Sequence, residues 1–166
     1  MTIGRSVAWA MLAACTPALP RSVARVVEPV SVPAPPLPQA CPDAQYDAQP
    51  IPQTAQHTLV LFTSEWCTAC DRVLEQLTDA ASDLRARDVA VLHVITQTQG
   101  SCFAAARLGR RVPFHYAAID EDGQTRWAVR STPTAWLLGP QGQHTVRYVE
   151  GAWSISELWD WIDAAL

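Results

Sequence analysis

The chain contains no lysine: all twelve basic residues are arginines, and the net charge is −4. None of the arginines builds a basic patch that could follow a phosphate backbone, which excludes nucleic acid as a partner. Methionine is scarce at two, and the four histidines do not cluster, which argues against a soft-metal carrier. Long hydrophobic runs are missing. The apolar stretch at residues 7–14 falls far short of the roughly 20 residues a spanning helix needs. One Cys-x-x-Cys is present without a second, so the spacing does not make a zinc ribbon, although Cys41 and Cys102 could in principle complete a four-sulfur set. The acidic run Asp120-Glu121-Asp122-Gly123 lacks the alternating carboxylates and distal glutamate of a calcium loop and reads as a solvated turn. No metal and no cofactor is expected.

What is present begins with an exported N-terminus. Arg5 followed by the short apolar run has the pattern of a signal peptide. Leu12-Ala13-Ala14-Cys15 resembles the bacterial lipobox. That resemblance implies a lipoprotein signal peptide over 1–14, lipid on Cys15 and a membrane anchor in the bacterial envelope facing the periplasm. Thr16 in place of aspartate favours the outer membrane. The alternative is an ordinary signal peptide cut near Ala14 or Ala18. An exported chain meets an oxidising compartment, where cysteines pair or do redox chemistry. With Cys15 lipidated, Cys41, Cys67, Cys70 and Cys102 remain, an even count that suits two pairs.

Residues 15–56 read as a linker. Ten of the 13 prolines fall there, which rules out a helix or central strand and favours an extended polyproline stalk. Residues 57–166 read as one domain. The apolar run at 57–63 predicts a buried strand, and Val73, Leu74, Leu77, Ala80, Ala81 and Leu84 predict one apolar helical face continuing to about Arg87. A second strand is predicted at 89–95. A short helix should run from an N-cap at Ser101 to a stop at Gly109, followed by a third strand over 114–119. A helical piece over 124–129 and an apolar strand at 135–138 come next. Gly139-Pro140-Gln141-Gly142 then predicts a turn into an antiparallel strand at 143–149. Ser154 and Glu157 form a capping-box pattern opening a terminal helix. The class is α/β, a mixed sheet with helices on both faces, parallel at first and closing in an antiparallel hairpin.

The chemistry centres on Trp66-Cys67-Thr68-Ala69-Cys70. Two thiols on the first turn of a helix after a strand suit thiol–disulfide exchange, because only the thiolate attacks a disulfide and a helix N-terminus favours the anion. Cys67 is the expected nucleophile and Cys70, one turn deeper, the resolving thiol. Cys102, at the start of a helix near the same rim, reads as a structural bridge to Cys41, with a third redox thiol as the alternative. His93 and His115 read as core residues, and the tryptophans at 127, 136, 153, 159 and 161 as packing.

Together with Thr132-Pro133-Thr134 before the hairpin, the Cys motif resembles the thioredoxin fold. The additional helix and strand between Gln97 and Asp120 make the chain similar to TlpA-like, membrane-anchored thiol–disulfide reductases. The resemblance implies that Pro133 is a cis-proline, that Thr132 docks substrate through its backbone and that Trp66 shields the rim. It implies protein thiols and disulfides of the envelope as partners, with an electron donor the sequence does not name. Three positions depart from the family pattern. Leu61 stands where a buried acid assists the second cysteine, Asp71 replaces a frequent basic residue, and Glu65 adds negative charge that opposes thiolate formation. A competing reading follows from them: a lipid-anchored binding or assembly module whose Cys67–Cys70 pair is a stable structural disulfide.

Overall fold

The computed structural model describes residues 25–27, 33–42, 55–142 and 144–164. The signal peptide expected at 1–14 and the lipidation site Cys15 lie outside them.

Strand β2 (His57–Thr63) is buried at every position and central in the sheet. Strand β3 (Val89–Ile95) pairs with it in parallel on one side, and β5 (Thr134–Leu138) pairs antiparallel on the other. Its unbroken apolar run follows from being covered on both faces. Alternation then sorts the side chains. Leu59 and Leu61 pack with Val73, Leu74 and Leu77 of helix α1 (Thr68–Asp79), Ala81 and Leu84 of α2 (Ala81–Ala86) and Leu158 and Ile162 of α5 (Ile155–Asp163). Val60 and Phe62 face the other way, onto Leu92, Val94, Trp127 and Leu138.

Strand β4 (His115–Ala118) joins β3 in parallel, and β6 (Thr145–Glu150) joins β5 antiparallel. The three-residue β1 (Arg25–Val27) adds at the outer edge of β6, giving the order β1-β6-β5-β2-β3-β4. At the opposite edge, Ala40 bridges to Ala117 of β4, and the Cys41 N–H donates to the Tyr116 carbonyl at 2.7 Å. Between these points Ala34 and Leu37 rest on the Trp127 side of the sheet. Part of the proline-rich segment is therefore a strap over one face that also covers backbone groups of both sheet edges, the places where a sheet otherwise invites foreign strands.

Several elements depart from the sequence pattern. The helix expected to continue to Arg87 breaks at Ala80, which caps α1 and precedes α2, with its N–H turned to the Gln76 and Thr78 carbonyls. The acidic turn is the start of helix α4 (Glu121–Arg126). Asp120 is its N-cap, with Oδ1 accepting the Gly123 N–H at 2.7 Å. Turn and N-cap share one signal, a short acceptor bonding to backbone a few residues on. Helix α3 (Cys102–Gly109) starts at its Ser101 cap but contains Gly109 as its last residue. The glycine is needed for close approach rather than for ending the helix: a Cβ there would sit 2.2 Å from Cγ of Tyr116. The Ser154–Glu157 capping box is formed at α5.

The tryptophans are packing residues. Rings run from Phe62 through Trp127 and Trp136 to Tyr148 at centroid spacings of 5.5, 5.4 and 4.7 Å. Trp153 meets Trp161 at 5.5 Å, and the Arg87 guanidinium lies 4.5 Å over Trp159.

His93 is fully buried, in register with Leu61 and Tyr116, and its Nε2 lies 2.7 Å from Thr63 Oγ1. Burial pushes its pKa down to about 4, so the ring is neutral in the fold. The unfolded chain takes up a proton near the ordinary value of about 6.5. The stabilisation is therefore complete above that pH and is lost as pH falls towards 4, by about 3 kcal/mol in all. Urea unfolding of wild type and His93→Gln across pH 4–7 checks this. The variant is expected to lack that part of the acid destabilisation, leaving only the carboxylate contribution common to both.

Candidate active site

Because β2, β3 and β4 are parallel, their carboxyl ends share one edge, where sites in open α/β sheets form. The chain leaves β2 at Thr63, turns through Ser64-Glu65-Trp66 with the Cys67 N–H on the Ser64 carbonyl at 3.2 Å, and enters α1. Cys67 is the N-cap of that helix, with extended backbone at φ −96° and ψ 91°. Its Sγ accepts the Cys70 N–H at 3.1 Å. A cysteine takes the place usually held by serine or aspartate, so one of the helix's unpaired donors points at sulfur.

Cys67 and Cys70 are joined by a disulfide of 2.07 Å, with Cα atoms 5.2 Å apart. The two sulfurs differ in access: Cys67 is half-buried, while Cys70 is 1% exposed. Beneath them Leu61 is fully buried among Val73, Leu74 and Ala135, so its side chain supplies neither proton donor nor acceptor.

Pro133 is buried at the entrance to β5, and the Thr132–Pro133 peptide is cis. Register fixes this loop beside the Cys turn, since Thr134 pairs with Phe62. A hydrogen bond of 3.0 Å joins Ser64 Oγ to Thr132 Oγ1, and the Gly151 N–H donates to the Pro133 carbonyl at 2.8 Å. Cys67, Cys70, Trp66, Thr132 and Pro133 are thus brought to one rim.

Cys41 and Cys102 form a separate disulfide of 2.01 Å. Cys41 is buried against Ile95, Ala105, Leu108 and Tyr116, and the bond fastens the strap to the first residue of α3. The four sulfurs are therefore divided between two bonds rather than gathered round one centre. Among the described residues no group of three or more His, Cys, Asp or Glu is placed to hold a metal ion.

Two contributors escaped the sequence reading. Ser64 ties the two active loops together. Arg107 of α3 forms an ion pair with Glu65, which offsets one of the negative charges flanking the thiols, whereas Asp71 is exposed. Both links are tertiary and carry no local signal.

A family model described as a thioredoxin-like domain matches residues 44–166. The chain belongs to the thioredoxin-like family. Among solved structures, this thioredoxin-like chain is similar to StoA from Bacillus subtilis. That pair has a TM-score of 0.58 and 19% identity, over 80% of this chain and 99% of StoA. It is also similar to a DsbF homologue from Corynebacterium diphtheriae, with a TM-score of 0.57 and 11% identity over 84% and 87%. A secreted disulfide oxidoreductase of Mycobacterium tuberculosis gives 0.52 and 22% over 67% and 82%. No curated protein matches the sequence. Identities this low establish the fold, and the Cys67–Cys70 disulfide places a redox-capable pair at its active edge.

Proposed function

We propose that this thioredoxin-like protein is an exported thiol–disulfide oxidoreductase that reduces disulfides of envelope proteins. The observation that carries the reading is Cys67 at the N-cap of α1, its sulfur on the Cys70 N–H. In the reduced protein that donor and the helix end stabilise the Cys67 thiolate.

The Cys67 thiolate attacks one sulfur of a partner disulfide. A mixed disulfide forms, and the partner's other sulfur leaves as a thiolate that takes a proton. Cys70 loses its proton to solvent or to the leaving thiolate and attacks Cys67 Sγ. The Cys67–Cys70 bond closes, and the partner departs with both sulfurs reduced. Two electrons pass from the pair to the partner, so each turnover consumes one reduced pair. A dithiol donor must restore it. Thr132 and Pro133 dock the partner's backbone, and Trp66 covers the rim. The lipid on Cys15 and the linker 15–56 hold the domain, from residue 57, at the periplasmic face of a bacterial membrane, with the outer membrane favoured by Thr16. No helix among the described residues is long and apolar enough to cross a membrane, in keeping with an anchor made by lipid.

With Cys70→Ala, the mixed disulfide cannot be resolved. Non-reducing electrophoresis of envelope fractions is expected to reveal partners linked through Cys67 and released by reductant. Leu61 favours a second reading, the binding module with a permanent disulfide, because it leaves Cys70 without a buried acid. No adducts, together with a wild-type pair that survives strong dithiol reductants, would establish that reading and sink the first.

A further inference from the structure

Among the described residues the large hydrophobic side chains left in solvent are Trp66, 83% exposed, and Phe103, 93% exposed. Both stand on the active rim. Trp66 adjoins Cys67, and Phe103 is the second residue of α3, which begins at the carboxyl edge of β3. The Glu65–Arg107 ion pair ties α3 to the turn that carries Trp66. Phe103 lies four residues before Arg107, hence on the same helix face and on the order of 6 Å away along the axis. The helix is held at its first residue by the Cys41–Cys102 bond, so Phe103 is presented from a fixed backbone.

We infer that Phe103 and Trp66 form a two-point apolar clamp that selects polypeptide disulfides carrying a large apolar side chain within a few residues of the cysteine. The inference rests on the exchange reading for its chemistry and adds a specificity determinant on α3. Two aromatic side chains cover roughly 300–500 Å² at about 150–250 Å² each. A standard interface takes about 800 Å² from each partner. The clamp is too small for a stable dimer of this chain. It is continuous with the disulfide, where a partner must dwell briefly and leave, and the charges nearest it are spent on each other in the Glu65–Arg107 pair. A transient polypeptide substrate is the occupant that fits.

The test uses two peptides with one disulfide loop, flanked by Leu and Phe or by Ser and Gly, reduced by the dithiol form of the full chain. Wild type is expected to favour the apolar peptide about tenfold in kcat/KM. Phe103→Ser should bring the ratio close to one without moving the melting temperature, and Phe103→Leu should restore it. The apolar peptide with both cysteines replaced by serine reads docking without exchange: it should shift the Trp66 indole and Phe103 amide resonances of labelled protein. A ratio unchanged in Phe103→Ser, or a serine peptide that moves neither resonance, overturns the clamp. Self-association at assay concentration that is lost in Phe103→Ser also overturns it, in favour of a second copy as the occupant. If neither peptide is reduced while the serine peptide still shifts both resonances, the clamp stands and the exchange reading falls.

Discussion

Serine at position 67 stops disulfide exchange. With Cys67→Ser, the rate of thiol release from a disulfide peptide at pH 7 is expected to fall at least about a thousandfold, because a hydroxyl does not ionise near neutrality and is not activated here by a base. The fold survives the change: the Cys67–Cys70 bond closes a loop with a sequence separation of only 3, and its loss costs about 2 kcal/mol in chain-entropy terms. The two cysteines should not be equivalent in this assay. Cys70, 1% exposed, cannot reach an outside disulfide, so Cys67→Ser removes the first step, whereas Cys70→Ala removes only the second and yields one stoichiometric adduct. Activity retained by Cys67→Ser and lost in Cys70→Ala would reverse the roles.

The order of elements and the place of the Cys pair were legible because they are written locally. A seven-residue apolar run makes β2, a capping box opens α5, and Cys-x-x-Cys follows the strand directly. Misreadings occurred where one signal serves two structures, as with Asp120, which is an N-cap rather than the end of a turn. Gly109 belongs to the same class, since the sequence contains the glycine but not the Tyr116 ring packed on it. Other features are products of the assembled fold. Ser64 and Thr132 are 68 residues apart and Glu65 and Arg107 are on different elements, yet these contacts hold the active loops together. They also qualify one expectation: Glu65 adds less negative charge to the thiols than its position in the sequence implies, because a guanidinium faces it. Leu61 is read the same way at both levels, as an apolar side chain in the core below the pair.

Removing the other disulfide should be felt mainly as stability. In the double variant Cys41→Ser, Cys102→Ser, a cross-link spanning 61 residues is lost, and the loop-entropy relation puts the cost at about 4 kcal/mol at 25 °C. With a urea slope of about 2 kcal/mol per molar, the unfolding midpoint should fall by about 2 M. The loss is not confined to the loop. Without the bond, the strap at residues 33–42 is attached through the Ala40–Ala117 bridge, the Cys41 N–H to the Tyr116 carbonyl and the apolar contacts of Ala34 and Leu37. Amide exchange at position 41 should therefore accelerate before exchange in β2 does, since a segment held by few contacts opens at lower free energy than the core. Opening exposes β4, the last strand of the sheet, as an unpaired edge, a template for other chains. A midpoint within about 0.5 M of wild type, with exchange at position 41 unaltered, would mean that backbone pairing alone holds the strap and that the bond adds nothing to it. The opposite result would assign Cys41–Cys102 a definite task in an oxidising compartment: keeping the sheet closed at the edge beside α3, the helix on which Phe103 stands.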